Sequence, residues 1–168
     1  LQGILKVHHR IPLFFAIPTT AGTGSETQVA AVITDSATHH KASINDPALI
    51  PQYAILDPEL TVGLPPFVTA TTGMDALCHA VEAYTNHTYN TKLEDRLARD
   101  AVKLIHGNLL KAYRNGADLE ARQNMQRASF FAARESQIRR RSLAFMPGRS
   151  PQMTAVLPGR SAEAFLRS

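Results

Sequence analysis

T-G-M-D-A-L-C-H-A-V-E-A-Y, residues 72–84, sets Asp75 and His79 four positions apart in a run of small and apolar residues. On a helix that spacing stacks the carboxylate and the imidazole on one face, one turn apart. Both can then reach a single cation, the carboxylate as a hard ligand and the imidazole suiting Fe, Zn or Ni. Met74, Leu77, Cys78, Ala80 and Val81 around the pair predict a helix buried on most sides. A carboxylate in such a place needs a partner, because an unpaired buried charge is costly. A metal is one such partner. The alternative is a capped or internally hydrogen-bonded Asp beside a core histidine, and the pair alone leaves both open.

Working outward, the 3.6-residue period holds downstream. Val68 to Tyr84 fits one buried helix. Asn90 to Tyr113 fits an amphipathic one, with Leu93, Leu97, Ala101, Leu104 and Ile105 on one face. Asn115-Gly116 and Asp118 end or restart it, and a third helix is expected from about Leu119 to Ala132, carrying Met125, Ala128, Ser129 and Phe131. Upstream the pattern changes at P-E-L-T-V-G-L-P-P-F (58–67), since paired prolines enter a helix only at its first turn. Before that boundary come short apolar or β-branched runs at 11–18, 29–35, 41–46 and 53–58, read as strands with the first one buried. No internal repeat is visible.

The charge is distributed unevenly. Residues 1–132 hold 11 Lys and Arg against 12 Asp and Glu, whereas residues 133–168 hold 7 Arg, no Lys and only Glu135 and Glu163. The body is near neutral and the whole excess sits in the last stretch. That stretch has no sustained periodicity, and it repeats P-G-R-S at 147–150 and 158–161. It is read as out-of-frame translation in preference to a natural disordered tail or a nucleic-acid arm, because it lacks Lys and regular aromatic spacing. The opening L-Q-G-I-L-K-V-H-H-R has neither an initiator Met nor a signal pattern, and is read as cut into from upstream. A single cysteine, Cys78, gives no internal disulfide, and no apolar run reaches the ~18 residues of a membrane span. A cytoplasmic location is the expectation.

The turn T-T-A-G-T-G-S-E (19–26) follows the first predicted strand and gathers Thr19, Thr20, Thr23 and Ser25 around Gly22 and Gly24. Glycines let a backbone approach a phosphate while N–H groups and hydroxyls donate to it. The sequence is neither a Walker A loop nor G-x-G-x-x-G. A polar turn with a Ser/Thr cap explains it equally well.

Taken in order, P-T-T-A-G-T-G-S-E, V-I-T-D, Lys41, L-D-P-E-L-T-x-G-L-P and T-A-T-T-G-M-D-A-L-x-H-A-x-E-A-Y resemble the iron-containing (group III) alcohol dehydrogenase family, from about Pro12 to Ala132. The resemblance implies a fold with an α/β N-terminal part, the end of a nucleotide-binding domain (1–64), followed by the start of an all-α metal-binding domain (65–132) and an Arg-rich tail (133–168). That is an incomplete dehydroquinate synthase-like two-domain architecture. It implies NAD- or NADP-linked interconversion of alcohols with aldehydes or ketones, with Fe2+, Zn2+ or another divalent metal as Lewis acid on the substrate oxygen. Asp75 and His79 fall on the family's first two metal ligands. Thr19, Thr20 and Thr23 fall on the threonine turn that contacts the dinucleotide, and Lys41 on a lysine near its ribose and phosphates. A solvated strand-end lysine is the plain alternative for Lys41.

The departures matter too. The family's glycine-rich pyrophosphate turn and its two later histidine ligands have no counterpart in this sequence. His8, His9, His39 and His40 read as solvated; His87 lies in the loop after the pair's helix, from which it reaches a cation only by refolding, and His106 on the polar side of its own helix, either being a minor candidate for a third ligand. The implied partners are a small alcohol or aldehyde and, in intact family members, further copies of the chain, with no membrane and with nucleic acid disfavoured. The chain alone is expected to be inactive. The competing readings are a non-enzymatic truncated product or binding module acting through the Arg-rich tail, and a metal-free nucleotide-binding domain.

Overall fold

A computed structural model describes residues 3–4, 7, 11–85, 91–143 and 154–156. The prolines do mark the boundary. Pro66 opens the first helix, α1 (Pro66–Thr85), and the amide of Thr69 donates to the Pro65 carbonyl, so both prolines sit where no helical N–H is lost. α2 (Lys92–Arg114) starts with a reciprocal cap: Thr91 Oγ1 accepts from the Glu94 amide, and the Glu94 carboxylate accepts from the Thr91 amide. α3 (Leu119–Leu143) starts where Asp118 Oδ1 accepts from the Ala121 amide.

α3 runs past the expected end at Ala132. No glycine or proline interrupts the chain until Pro147, so nothing local stops the helix there.

Among the described residues the strands form two small sheets, all upstream of the helices but for one strand. β1 (Gly3–Ile4) pairs parallel with β4 (Lys41–Asn45), which pairs antiparallel with β3 (Ala30–Thr34). β5 (Tyr53–Ile55) lies between β2 (Phe15–Ala16) and β6 (Thr154–Val156), parallel to both. β6 falls inside the Arg-rich stretch. The remainder of that stretch from 144 onward lies outside the described residues, as do His8, His9 and His87.

The helices pack through small residues. Ala76, Ala80, Ala98, Ala101, Ala112, Ala121, Ala128 and Ala132 are all essentially inaccessible, with Ile105 and Met125 filling the space between them. Gly73 belongs to the same surface: a Cβ there would lie 2.3 Å from Leu109 Cδ1 and 3.1 Å from Met125 Cε. This glycine, two residues before Asp75, makes room for the ends of the Leu109 and Met125 side chains.

Three sequence expectations about burial change. Helix α1 is buried along Thr69, Gly73, Ala76, Ala80 and Ala83 only, while Phe67, Met74, Cys78 and Val81 face outward. The inward face of α2 is Glu94, Ala98, Ala101, Ile105 and Ala112, because the cap draws Glu94 in and leaves Leu93 exposed. The run at 11–18 is no buried strand: Leu13, Phe14, Phe15 and Ile17 are exposed, with Phe15 stacked on Tyr53 at 4.9 Å. β2 is an edge strand of two residues, and an edge so short brings little covering with it.

One buried cation ties the helical part to its entrance. Arg122 is 3% exposed; its Nε donates to the Gly116 carbonyl (3.0 Å), Nη1 to Thr69 Oγ1 (2.7 Å) and Nη2 to the Leu64 carbonyl (3.4 Å). Among the described residues no carboxylate pairs with it, and burial holds its pKa below the ordinary arginine value. The Arg122→Met variant leaves these acceptors without donors. It is expected to lose about 2–4 kcal/mol of stability, read from the urea midpoint.

Candidate metal centre and threonine turn

Asp75 and His79 lie on the flank of α1, beside rather than within its buried stripe. Their side chains are 43% and 39% exposed, and Asp75 Oδ1 stands 3.7 Å from His79 Nε2. That is longer than a hydrogen bond. Among the described residues no N–H or O–H donates to the Asp75 carboxylate, so its lone pairs remain available. His79 is not a core histidine. The donor set, one carboxylate oxygen and one imidazole nitrogen presented together, fits two positions around a divalent first-row cation. Among the described residues no third His, Cys, Asp or Glu joins them. His39, His40 and His106 are exposed.

The turn at 19–26 is built differently from its sequence reading. Gly24 has φ +55°, and a Cβ there would lie 2.1 Å from Ala133 Cβ and 2.9 Å from the Ser129 carbonyl oxygen. At Gly22 a Cβ would lie 2.7 Å from Thr72 Cβ. Both glycines are thus required by the helices beneath the turn, α3 for Gly24 and α1 for Gly22. The turn leads into a single 3-10 turn, Ser25–Thr27, with no α-helix N-terminus behind it to attract an anion. Thr19 and Thr23 are exposed and Thr20 half-buried, and among the described residues their hydroxyls make no hydrogen bonds. They stand free to meet a ligand.

Lys41 is exposed at the first position of β4, in register with Thr34. Among the described residues no hydrogen bond or ion pair links it to the turn or to Asp75 and His79. The turn and the metal pair do meet through α1, since Thr72, which Gly22 touches, is three residues before Asp75.

Several residues that shape this region were not singled out in the sequence. Gln126 is 1% exposed; its Nε2 donates to the Pro18 carbonyl (3.3 Å) and the Asp57 carbonyl (3.0 Å), while its buried Oε1 has no partner among the described residues. Ser129 Oγ donates to the Gly22 carbonyl (2.9 Å). Glu26, in the turn itself, is buried, and desolvation raises its pKa to about 7, against a weaker pull from its own backbone amide. The available signal was polar residues Arg122, Gln126 and Ser129 at i, i+4 and i+7, one stripe of α3 among the buried Ala121, Met125, Ala128 and Ala132.

A family profile described as iron-containing alcohol dehydrogenase matches residues 2–58, and one described as the Fe-containing alcohol dehydrogenase family, C-terminal, matches 69–146. The chain belongs to the iron-containing alcohol dehydrogenase family. The NAD-dependent methanol dehydrogenase of Bacillus methanolicus is 48% identical over 131 residues, 78% of this chain and 34% of that protein. The alcohol dehydrogenase of Oenococcus oeni superposes with a TM-score of 0.74 at 39% identity, over 80% of this chain and 35% of that one. The sulfoacetaldehyde reductase of Bifidobacterium kashiwanohense, solved with NAD+, superposes with a TM-score of 0.67 at 36% identity, over 77% of this chain and 35% of that one. The chain therefore spans about a third of the length of these relatives. The matches reach further at both ends than the motifs between Pro12 and Ala132.

Two outcomes follow from the geometry. Gly24→Ala combines a left-handed backbone with a forbidden contact, and is expected to cost about 2–4 kcal/mol in urea denaturation, more than Gly63→Ala, where a Cβ meets nothing. Glu26 has a folded pKa above its unfolded value, so the folded state holds a proton that the unfolded state has released between about pH 4.5 and 7. Its contribution is full below pH 4.5 and is lost as pH rises through 7, a change of up to about 3 kcal/mol. Glu26→Gln should flatten that part of the stability profile; an unchanged slope between the two proteins would refute the assignment.

Proposed function

We propose that this chain is the central part of a metal-dependent alcohol dehydrogenase, linking the end of a dinucleotide-binding domain (1–64) to the first helices of a metal-binding domain (65–132). The observation that carries the reading is the presentation of Asp75 and His79, one turn apart, half-exposed and uncommitted, on the helix that touches the threonine turn.

In this reading Asp75 Oδ and His79 Nε2 supply two lone pairs to a divalent cation, iron by family and zinc by the same donor chemistry. When bound, the cation is a Lewis acid on the substrate oxygen, and NAD or NADP takes up or returns the hydride. The hydroxyls of Thr19, Thr20 and Thr23 donate to the dinucleotide, and Lys41 adds positive charge toward its phosphates. Gly22 holds this turn against α1 and so fixes its distance from the metal pair. Small alcohols and their aldehydes are the substrate class. No helix among the described residues is long and apolar enough to cross a membrane, which fits a small polar substrate met in water.

Titration calorimetry with Zn2+, and with Fe2+ under anaerobic conditions, tests the pair directly. One bound equivalent is expected. Asp75→Ala and His79→Ala are each expected to weaken it by about tenfold or more, since either leaves a single protein ligand. Equal affinity in all three proteins would remove the metal reading. With two protein donors the chain alone is expected to show no NADH oxidation with a short aldehyde.

A further inference from the structure

We propose that Gln126 and Ser129 are positioning residues: from α3 they set the threonine turn in the geometry in which it meets the dinucleotide, an inference that rests on the dinucleotide reading of that turn. The anchors bracket the threonines. Gln126 holds Pro18, just before Thr19 and Thr20, and Ser129 holds Gly22, just before Thr23. Ala133 continues the same helix face, with the backbone of Gly24 laid against it. Residues 126, 129 and 133 fall at i, i+3 and i+7, so one stripe of α3 meets the turn at 18, 22 and 24 in order. A helix thereby dictates the register of a half-buried loop.

The second bond of Gln126 extends this to the sheet. Its Nε2 also donates to the Asp57 carbonyl, just beyond β5, while Pro18 lies just beyond β2. These strands are parallel, so one amide gathers the carboxyl ends of both, the place where open α/β sheets bind ligands.

Stability alone does not account for the choice of glutamine. The amide places its two donors at the cost of a buried acceptor, Oε1, with no partner among the described residues. Buried neutral hydrogen bonds add little net stability, and an orphaned buried acceptor removes a comparable amount. An amide kept under those terms is kept for where it puts the two carbonyls. Reversing the amide worsens matters, because its oxygen would then face two carbonyl oxygens.

The test uses the whole chain with Gln126→Met, Ser129→Ala and a control on the same helix, Gln123→Met. Three quantities are measured: the melting temperature, hydrogen exchange of amides 19–27, and the dissociation constant for NADH by fluorescence. For both anchor variants, faster exchange confined to the turn and about tenfold weaker NADH binding are expected, with melting temperatures only a few degrees below the control, the cost of the carbonyls that lose a donor. NADH affinity unchanged in both anchor variants overturns the proposal, as does unchanged exchange. Exchange that rises throughout the chain also overturns it, since that marks a general stability role. Failure of the unsubstituted chain to bind NADH or NADPH refutes the dinucleotide reading and, with it, the positioning role. A turn that still loosens only in the anchor variants would identify the bonds as structural anchors alone.

Discussion

The arrangement depends on a loop backbone lying directly on two helices. Peptide groups carry polar atoms that must be satisfied when buried, and side chains ordinarily hold a loop away from a helix surface. At 22 and 24 the side chains are absent, and at 129 a hydroxyl meets the exposed carbonyl. At 126 an amide meets the carbonyl of Pro18. The loop thus sits at backbone distance with its carbonyls paired. Among the described residues its Thr19, Thr20 and Thr23 hydroxyls make no hydrogen bond. The same contact fixes the loop relative to Thr72 and hence to Asp75 on the same helix. Two candidate sites that the sequence separates by some fifty residues are joined through one packing surface.

That surface also explains the many alanines of the helices and the glycine at 73. Gly73, Ala76, Ala80 and Ala83 bring α1 close to its neighbours, and the close approach makes 73–83 a rigid rod on which residues 75 and 79 are displayed. Packing of this density resists small displacements. Arg122 closes the other end, joining Thr69 to the turn between α2 and α3.

The helices were legible from the sequence because their period and their stops are local: prolines at 65 and 66, the Thr91–Glu94 box, Asn115-Gly116. Their facing was less so. The period puts Leu93 inside and Glu94 outside, but the cap at Thr91 draws the Glu94 carboxylate in. The strands were found as runs and overestimated in length, since pairing, which sequence does not display, decides where a ladder ends. In the candidate site the pair and the turn were legible as motifs. What their glycines do was not, because a missing Cβ serves a phosphate or a neighbouring helix equally well until the neighbour is known. Gln126, Ser129 and Glu26 were illegible for a related reason: a polar residue within a helix or turn gives no sign of the carbonyl it meets or the water it loses.

The exposure of Asp75 and His79 bears on how a metal there relates to the fold. A structural site is enclosed by four protein ligands and contributes to folding, whereas a catalytic one keeps a position open. Two donors from one turn of one helix occupy adjacent positions on a cation, leaving the far side to other ligands. The helix needs no metal to form: its packing rests on Gly73, Ala76, Ala80 and Ala83, none of which touches the cation's side. In the proposed site, folding and metal binding would then be separable, the pair being held in place by the apolar packing of α1. Loss of the cation is expected to leave the backbone of α1 in place, so that affinity is governed by ligand number and chemistry and not by the energetics of refolding.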